Sequence, residues 1–121
     1  MEDLIAGDLK IQVVQREPAT LELLWTGKSN ARNPTATLQP YFSQALATAA
    51  ERTLALELHF EKLEHFNSST ITAIIQLIQE ARTKGVKLTI VFDHAVKWQK
   101  LSFDALRVFS KGDGLLEFKP A

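Results

Sequence analysis

Residues 54–71 read LALELHFEKLEHFNSSTI, and they join the most strand-like run of the chain to its clearest amphipathic helix. Apolar and more polar side chains alternate from Leu54 to Phe60, which is the period of a β-strand with one buried face. Three hydroxyl residues follow Asn67, where apolar residues begin to recur at helical spacing. A helix that starts there presents unpaired N–H groups and the positive end of its dipole, which suits a phosphate or a carboxylate.

The helix predicted after this turn ends at Gly85, a residue type that favours helix termination. Its predicted buried stripe consists of Ile71, Ile74, Ile75, Ile78 and Ala81, widened by Ala73 and Leu77. Alternation then returns from Val86 to Phe92 and predicts another strand. Two strands joined by such a helix form a right-handed parallel crossover. The crossover places the helix N-terminus at the carboxyl edge of the sheet, where ligands and partners usually engage such sheets.

The N-terminal part predicts a hairpin followed by a helix. Leu9–Val13 and Leu21–Trp25 alternate as strands, and 27–34 has the composition of a loop. Thr37 is the expected N-cap of the first helix, because that start leaves Pro40 in the first turn, where proline is tolerated.

The C-terminal part predicts a third helix and a last strand, Leu115–Phe118. The expected apolar positions of that helix are Trp98, Leu101, Ala105, Val108 and Phe109. The resulting order is β-β-α-β-α-β-α-β in a single α/β (α+β) domain spanning 1–121. Because even the central strands alternate, we expect a mixed sheet with its helices mainly on one face and a polar second face.

Composition limits the function classes. Lys plus Arg and Asp plus Glu both number 14 in the 121 residues, so no basic surplus supports nucleic-acid binding. The chain has no cysteine, which excludes disulfides and thiolate metal sites. We expect a cytoplasmic protein with no signal peptide, membrane span, cofactor, metal site or catalytic residues. His59 is interpreted as a residue of the polar sheet face.

The element order, together with the hydroxyl cluster at the start of the second helix, resembles the STAS fold of bacterial anti-sigma-factor antagonists. At the level of individual amino acids, the resemblance is concentrated between Leu56 and Phe92. Antagonists of that family carry Asp-Ser-(Ser/Thr)-Gly at this turn, and a partner kinase phosphorylates the first serine. By position the phosphorylated residue here is Ser68. Asn67 replaces the family's Asp and Thr70 replaces its Gly. The Asn is more similar to a branch of STAS-like phosphoproteins that regulate biofilm formation and diguanylate cyclases.

The resemblance implies a regulatory binding module that is switched by phosphorylation of Ser68. The implied partners are a serine kinase that is also an anti-sigma factor, a phosphatase or a diguanylate cyclase. Asn67, Ser69, Thr70 and His65 are the candidate partner-binding residues, with the hydroxyls of Ser69 and Thr70 alternatively serving as caps.

Three alternatives remain open at this stage. Asn67 or Ser68 could be an N-cap with no further role, since most hydroxyls at helix starts only cap. The domain could be a STAS-type scaffold that is never phosphorylated. It could also be a carrier that holds a lipid or another small ligand in a groove between helices. The sequence does not predict the oligomeric state.

Overall fold

The computed structural model describes residues 1–121 as one mixed β-sheet with three α-helices. The strands are β1 Leu4–Ala6, β2 Leu9–Arg16, β3 Thr20–Ser29, β4 Ala55–His59, β5 Leu63–Phe66, β6 Leu88–Phe92 and β7 Leu116–Pro120. The helices are α1 Thr35–Arg52, α2 Ser68–Lys84 and α3 Lys97–Leu106, and a 3-10 turn, Arg107–Phe109, follows α3. None of these helices combines the length and the apolar character that crossing a membrane requires.

The sheet runs in the order β1-β2-β3-β4-β6-β7, and β5 pairs with the end of β3 beyond β4. The first three strands are antiparallel, whereas β3, β4, β6 and β7 are parallel neighbours. The predicted mixed α/β architecture and its crossover through α2 are therefore confirmed. The sequence did not predict β1 or β5, because three and four residues are too few to show an alternating period.

The hydrophobic core lies between one face of the sheet and the helices. Trp25 from β3, Phe42 from α1, Phe103 from α3 and Phe60, directly after β4, are almost completely buried. The ring centroid of Phe60 lies 4.8 Å from that of Trp25 and 4.9 Å from that of Phe103. The opposite face carries polar residues, which confirms the expectation that the helices pack mainly on one side.

Strand β3 extends through Gly27 and Ser29, which the sequence assigned to a loop. Gly27 has a φ of +84°, and a Cβ at this position would collide with the carbonyl oxygen of Asp8. A glycine is therefore needed where the backbone of β3 passes close to the Asp8 carbonyl. The Lys28 N–H donates to that same carbonyl at 3.1 Å. The extension matters because it pairs Ser29 with Phe66 of β5, one residue before Asn67.

The predicted start of α1 is wrong. Helix α1 begins at Thr35, with Pro34 at its N-cap and Pro40 inside it rather than in its first turn, so Thr37 is not the cap. In α2 the predicted stripe is largely confirmed: Ala73, Ile74, Leu77, Ile78 and Ala81 are buried, and Thr70 is buried as well. Ile71 and Ile75 are only partly buried beside it. The end of α2 at Gly85, which has a φ of +67°, is confirmed.

The predicted apolar face of α3 is also wrong. The residues that it buries are Gln99, Phe103 and Leu106, whereas Leu101 is 62% exposed. Val108, beyond the end of the helix, is 77% exposed. The sequence pattern was misleading because a buried glutamine interrupts the apolar period of the inner face.

Candidate functional site

The turn from β5 into α2, Phe66–Thr70, is organised around Asn67 and is called the Asn67 turn below. Asn67 is the N-cap of α2: its side-chain oxygen accepts from the Thr70 N–H at 2.9 Å. Its backbone N–H donates to the Ser29 carbonyl at 3.0 Å. Its side-chain amide nitrogen donates to the Ala31 carbonyl at 2.8 Å. Asn67 therefore joins the helix start to the loop that follows β3 through its side chain, and to β3 through its backbone N–H.

A second link joins Thr70 to Ser29 inside the protein. Their hydroxyl oxygens lie 2.7 Å apart, and both residues are buried. The Thr70 hydroxyl donates its hydrogen to the Asn67 side-chain oxygen at 2.8 Å, which is closer than the Ser29 carbonyl at 3.3 Å. Because that hydrogen is used, the Ser29 hydroxyl is the donor in the contact between the two hydroxyls. The donors consequently run in one direction, from Ser29 to Thr70, from Thr70 to Asn67, and from Asn67 to Ala31.

This network gives a physical reason for both departures from the family's Asp and Gly. An Asp at position 67 would cap the helix equally well, but it has no N–H to donate to the Ala31 carbonyl. A Gly at position 70 would leave the buried Ser29 hydroxyl without its partner. Asn67 and Thr70 therefore act together to fix the Asn67 turn through side chains.

Ser68 is the first residue of α2 and is exposed to solvent. The side-chain bonds of the turn run through Asn67, Thr70 and Ser29 and leave the Ser68 hydroxyl out of them. The first N–H groups of a helix lack partners within it, so an anion on Ser68 would meet free donors and the helix dipole. Ser68 is thus reachable by another protein's active site, and the turn is held without its hydroxyl.

The other predicted contact residues occupy different environments. His65 is exposed, and Ser69 and Asn67 are partly buried, so these three border the surface around Ser68. Thr70 has no exposed surface, so its predicted role as a direct partner contact requires correction. Its hydroxyl helps to hold the turn in place through its hydrogen bonds with Asn67 and Ser29. Sequence reasoning also missed Ser29, because only the pairing of β3 with β5 reveals that it lies beside Thr70.

The start of helix α3 lies beside the Asn67 turn. The Trp98 ring lies 5.0 Å from the ring of Phe66 and 6.4 Å from that of His65, measured between centroids. The buried side chain of Gln99 fixes the start of α3, because it donates to the carbonyls of Phe60 and Leu63 at 2.8 and 3.2 Å. Its oxygen accepts from the Asp93 N–H at 2.8 Å. Gln99 thereby ties α3 to the chain that leads into the turn.

The outer side of α3 combines apolar surface with paired charges. Leu101 projects from the helix one turn after Trp98 and is largely exposed. Lys100 and Arg107 both bond to the Asp104 carboxylate, at 2.8 and 3.2 Å. The hydrogen bond from Lys100, with help from Arg107, holds the pKa of Asp104 below its usual value. This surface is therefore an exposed leucine beside an ion-pair cluster in which two cations share one carboxylate.

A cavity of about 400 Å³ lies on the opposite side of the Asn67 turn, between the β1–β2 connection and the loop after β3. Its walls include Ser29, which donates to Thr70, and Ala31, whose carbonyl accepts from Asn67. Only four of its eleven lining residues are hydrophobic. Its lining comes from strands, loops and one helix, so this cavity is not the groove between helices in which a carrier was expected to hold its ligand.

Comparison of the sequence with protein-family models and with curated proteins gave no match. Solved structures of similar fold include the following two. One is the anti-sigma factor antagonist SpoIIAA in its unphosphorylated form, with a TM-score of 0.52 and 13% identity over 67% of this chain and 71% of that one. The chain has a SpoIIAA-like fold. The other is an uncharacterized DUF3478-family protein with a SpoIIAA-like fold from Shewanella loihica PV-4. It has a TM-score of 0.56 and 14% identity over 91% of this chain and 84% of that one.

The SpoIIAA-like fold confirms the STAS-like architecture predicted from the sequence. At 13% and 14% identity the similarity extends to the fold alone. Neither structure points to the biofilm and diguanylate-cyclase branch, so that narrower resemblance stays a prediction.

Proposed function

We propose that this protein is a single-domain, cytoplasmic binding module of the anti-sigma-factor-antagonist type, and that phosphorylation of Ser68 switches its partner binding. The observation that carries the proposal is the exposed Ser68 at the first position of α2, on a turn whose hydrogen bonds do not use its hydroxyl. The likeness to SpoIIAA, a protein whose solved form is specified as unphosphorylated, supports the same interpretation.

The switch acts on the surface of the protein rather than on its fold. A phosphate adds about 1.5 to 2 negative charges and three acceptor oxygens near neutral pH. At a helix N-terminus the dipole favours such a charge by about 0.3 to 1 kcal/mol, so α2 is retained. A partner that buried the neutral hydroxyl of Ser68 would instead have to bury a hydrated dianion. The cost is several kcal/mol, enough to abolish a micromolar complex.

The partner surface in this proposal surrounds Ser68 and continues onto α3. Ser69, His65 and the edge of Asn67 adjoin the phosphorylated residue, and Trp98 with Leu101 supply aromatic and aliphatic contact area. Exposed aromatic and aliphatic side chains beside a polar rim are typical of protein interfaces. A partner kinase transfers the phosphate to Ser68, and a phosphatase removes it. The binding module is not itself an enzyme in this account.

Affinity capture from host extract tests the proposal. We expect wild type and Ser68→Ala to retain the same regulatory protein, and Ser68→Asp to lose it. Gln76→Glu is the matched control and should retain the partner, because it adds one negative charge at an exposed position of α2 outside the proposed surface and leaves residue 68 unchanged. Identical partner profiles for Ser68→Ala and Ser68→Asp would contradict the proposed switch.

The scaffold alternative predicts a different result in the same host. A scaffold that is never phosphorylated has one intact mass with or without phosphatase treatment, and its partners do not discriminate between the residue-68 variants. A regulatory partner that is released by phosphate, whether an anti-sigma kinase, a phosphatase or a diguanylate cyclase, follows the phosphorylation state of Ser68.

A further inference from the structure

The open face of the sheet brings together three potential metal ligands that are far apart in sequence. Glu22 of β3 and Glu57 of β4 are register partners, and His59 lies two residues further along β4 on the same face. The His59 Nε2 atom is 2.8 Å from Glu57 Oε1 and 3.6 Å from Glu22 Oε1. One ligand atom from each of the three lies within 4.8 Å of the others. A tetrahedral ion with bonds of about 2.1 Å separates its ligand atoms by about 3.4 Å. The side chains are therefore near the spacing such an ion needs.

His59 is oriented by a fourth residue. Its Nδ1 atom lies 3.3 Å from Glu61 Oε2, two residues along the chain. When Nδ1–H donates to this carboxylate, the lone pair on Nε2 is directed toward Glu57 and Glu22. Metal-binding histidines are commonly held by a carboxylate in this way, which fixes the ring and its tautomer.

Two further observations show that the cluster lacks a satisfactory internal partner. The Nε2 atom of His59 is shielded from solvent and forms no hydrogen bond. Glu57 Oε1 lies 2.8 Å away, and when the ring hydrogen is on Nδ1 these two acceptor atoms face each other with no donor between them. Glu22 is nine-tenths buried, and the nearest cationic groups reach its Oε1 only at 3.6 Å and 3.8 Å, beyond hydrogen-bond distance. Buried polar groups normally have a partner, so the unpartnered Nε2 atom of His59 points to a missing cation, and the weakly paired carboxylate of Glu22 lies beside it.

We propose that Glu22, Glu57 and His59 form a three-ligand site for a divalent transition-metal ion such as Zn²⁺, with Glu61 orienting the histidine. One imidazole nitrogen and two carboxylate oxygens suit such an ion, and water can complete the coordination. A cavity of about 190 Å³ borders His59 and Glu61 and leaves open space beside the histidine. The proposal does not depend on Ser68 or its modification.

Arg16 competes with the ion for the same carboxylates. Its Nη2 atom lies 3.2 Å from Glu57 Oε2 and its Nε atom 3.8 Å from Glu22 Oε1. The Arg16 side chain is 55% exposed and can leave the carboxylates without disturbing the core. Without a metal, Arg16 reduces the repulsion between the two facing glutamates. We therefore expect metal binding to displace the guanidinium.

Calorimetric titration of the purified, tag-free protein with Zn²⁺ tests the site, with Mg²⁺ as the hard-cation control. We expect one Zn²⁺ per chain, loss of this binding in His59→Ala, and a loss of about 10- to 100-fold in affinity in Glu61→Gln. Arg16→Gln should raise the affinity several-fold, which a site elsewhere would not show. His65→Ala and His94→Ala are matched controls, since both histidines are exposed and outside the cluster.

The result can overturn the proposal in several ways. Absence of stoichiometric Zn²⁺ binding, unchanged affinity in His59→Ala, or loss of binding in His65→Ala or His94→Ala would each do so. Circular dichroism of every variant identifies a loss of fold, and Arg16→Gln tests the site through a residue that is not a ligand. Perturbation of the His59 imidazole resonances on adding Zn²⁺ is the expected spectroscopic result, and unperturbed resonances would contradict the assignment.

Discussion

The hydroxyl oxygens of Ser29 and Thr70 lie 2.7 Å apart in the interior, although 41 positions separate the residues in sequence. This contact joins the end of β3 to the first turn of α2, directly behind Asn67 and the exposed Ser68. It explains how the Asn67 turn is held in one conformation through side chains. The rigid part of the candidate site is thus buried, and the part available for modification is at the surface.

The Ser29–Thr70 contact predicts a measurable coupling. Thr70→Val keeps the shape of the side chain but strands the buried Ser29 hydroxyl, so it should lower the free energy of unfolding by about 1–3 kcal/mol. Ser29→Ala should be destabilising for the same reason. The double variant should cost less than the sum of the two, and denaturant unfolding of all four proteins measures the difference. Simple additivity would show that the hydroxyls do not interact.

Asn67→Asp should loosen the loop after β3 even though Asp is a good N-cap. The change removes the donor to the Ala31 carbonyl and places a carboxylate oxygen near that carbonyl. We expect a net loss of about 1 kcal/mol, because the lost bond and the repulsion exceed the favourable dipole term of about 0.3–1 kcal/mol. Hydrogen exchange in residues 30–34 should accelerate. Asn33→Asp, an exposed change of the same type, is the control, and equal exchange in both variants would argue against this role of Asn67.

A negative charge at position 68 should leave the fold intact. Ser68→Asp places a carboxylate at the helix N-terminus and should change the free energy of unfolding by no more than about 1 kcal/mol, in the stabilising direction. Ser68→Lys should shift it the opposite way by a similar amount. Chemical denaturation compares the three proteins. Substantial unfolding of Ser68→Asp would mean that a charge acts by melting α2 and not by altering a surface.

Leu101 should contribute to partner binding and little to stability. Because its side chain is 62% exposed, Leu101→Ser should change the free energy of unfolding by less than about 0.5 kcal/mol. Recovery of the captured partner should nevertheless fall. Val108→Ser is the matched control, since that side chain is also exposed but follows the end of α3. Equal recovery with both variants would remove α3 from the proposed interface.

The parts of the fold with long, regular periods could be predicted from the sequence. The alternation of Leu54–Phe60 and the helix that ends at Gly85 were sufficient to give the parallel crossover and the position of Ser68. Strand β5 and the continuation of β3 to Ser29 could not be predicted, because short strands and glycine positions are fixed by partners distant in sequence. The inner face of α3 was misassigned because Gln99 is buried for its hydrogen bonds and not for its hydrophobicity.

The same limit applies to the candidate sites. Ser68 and its cap follow from local sequence, whereas the burial of Thr70 and the contact with Ser29 depend on strand pairing. The cluster of Glu22, Glu57 and His59 likewise exists only because β3 and β4 pair in one register. Residues that act across strands are therefore the ones that a single sequence conceals.

Site-localised mass spectrometry of the intact protein from its native host tests the central claim most directly. We predict a form that carries one phosphate, removable by phosphatase and located on Ser68, beside an unmodified form that retains the partner. A single unmodified mass in every growth condition, or a phosphate located on Ser69 or elsewhere, would contradict the account.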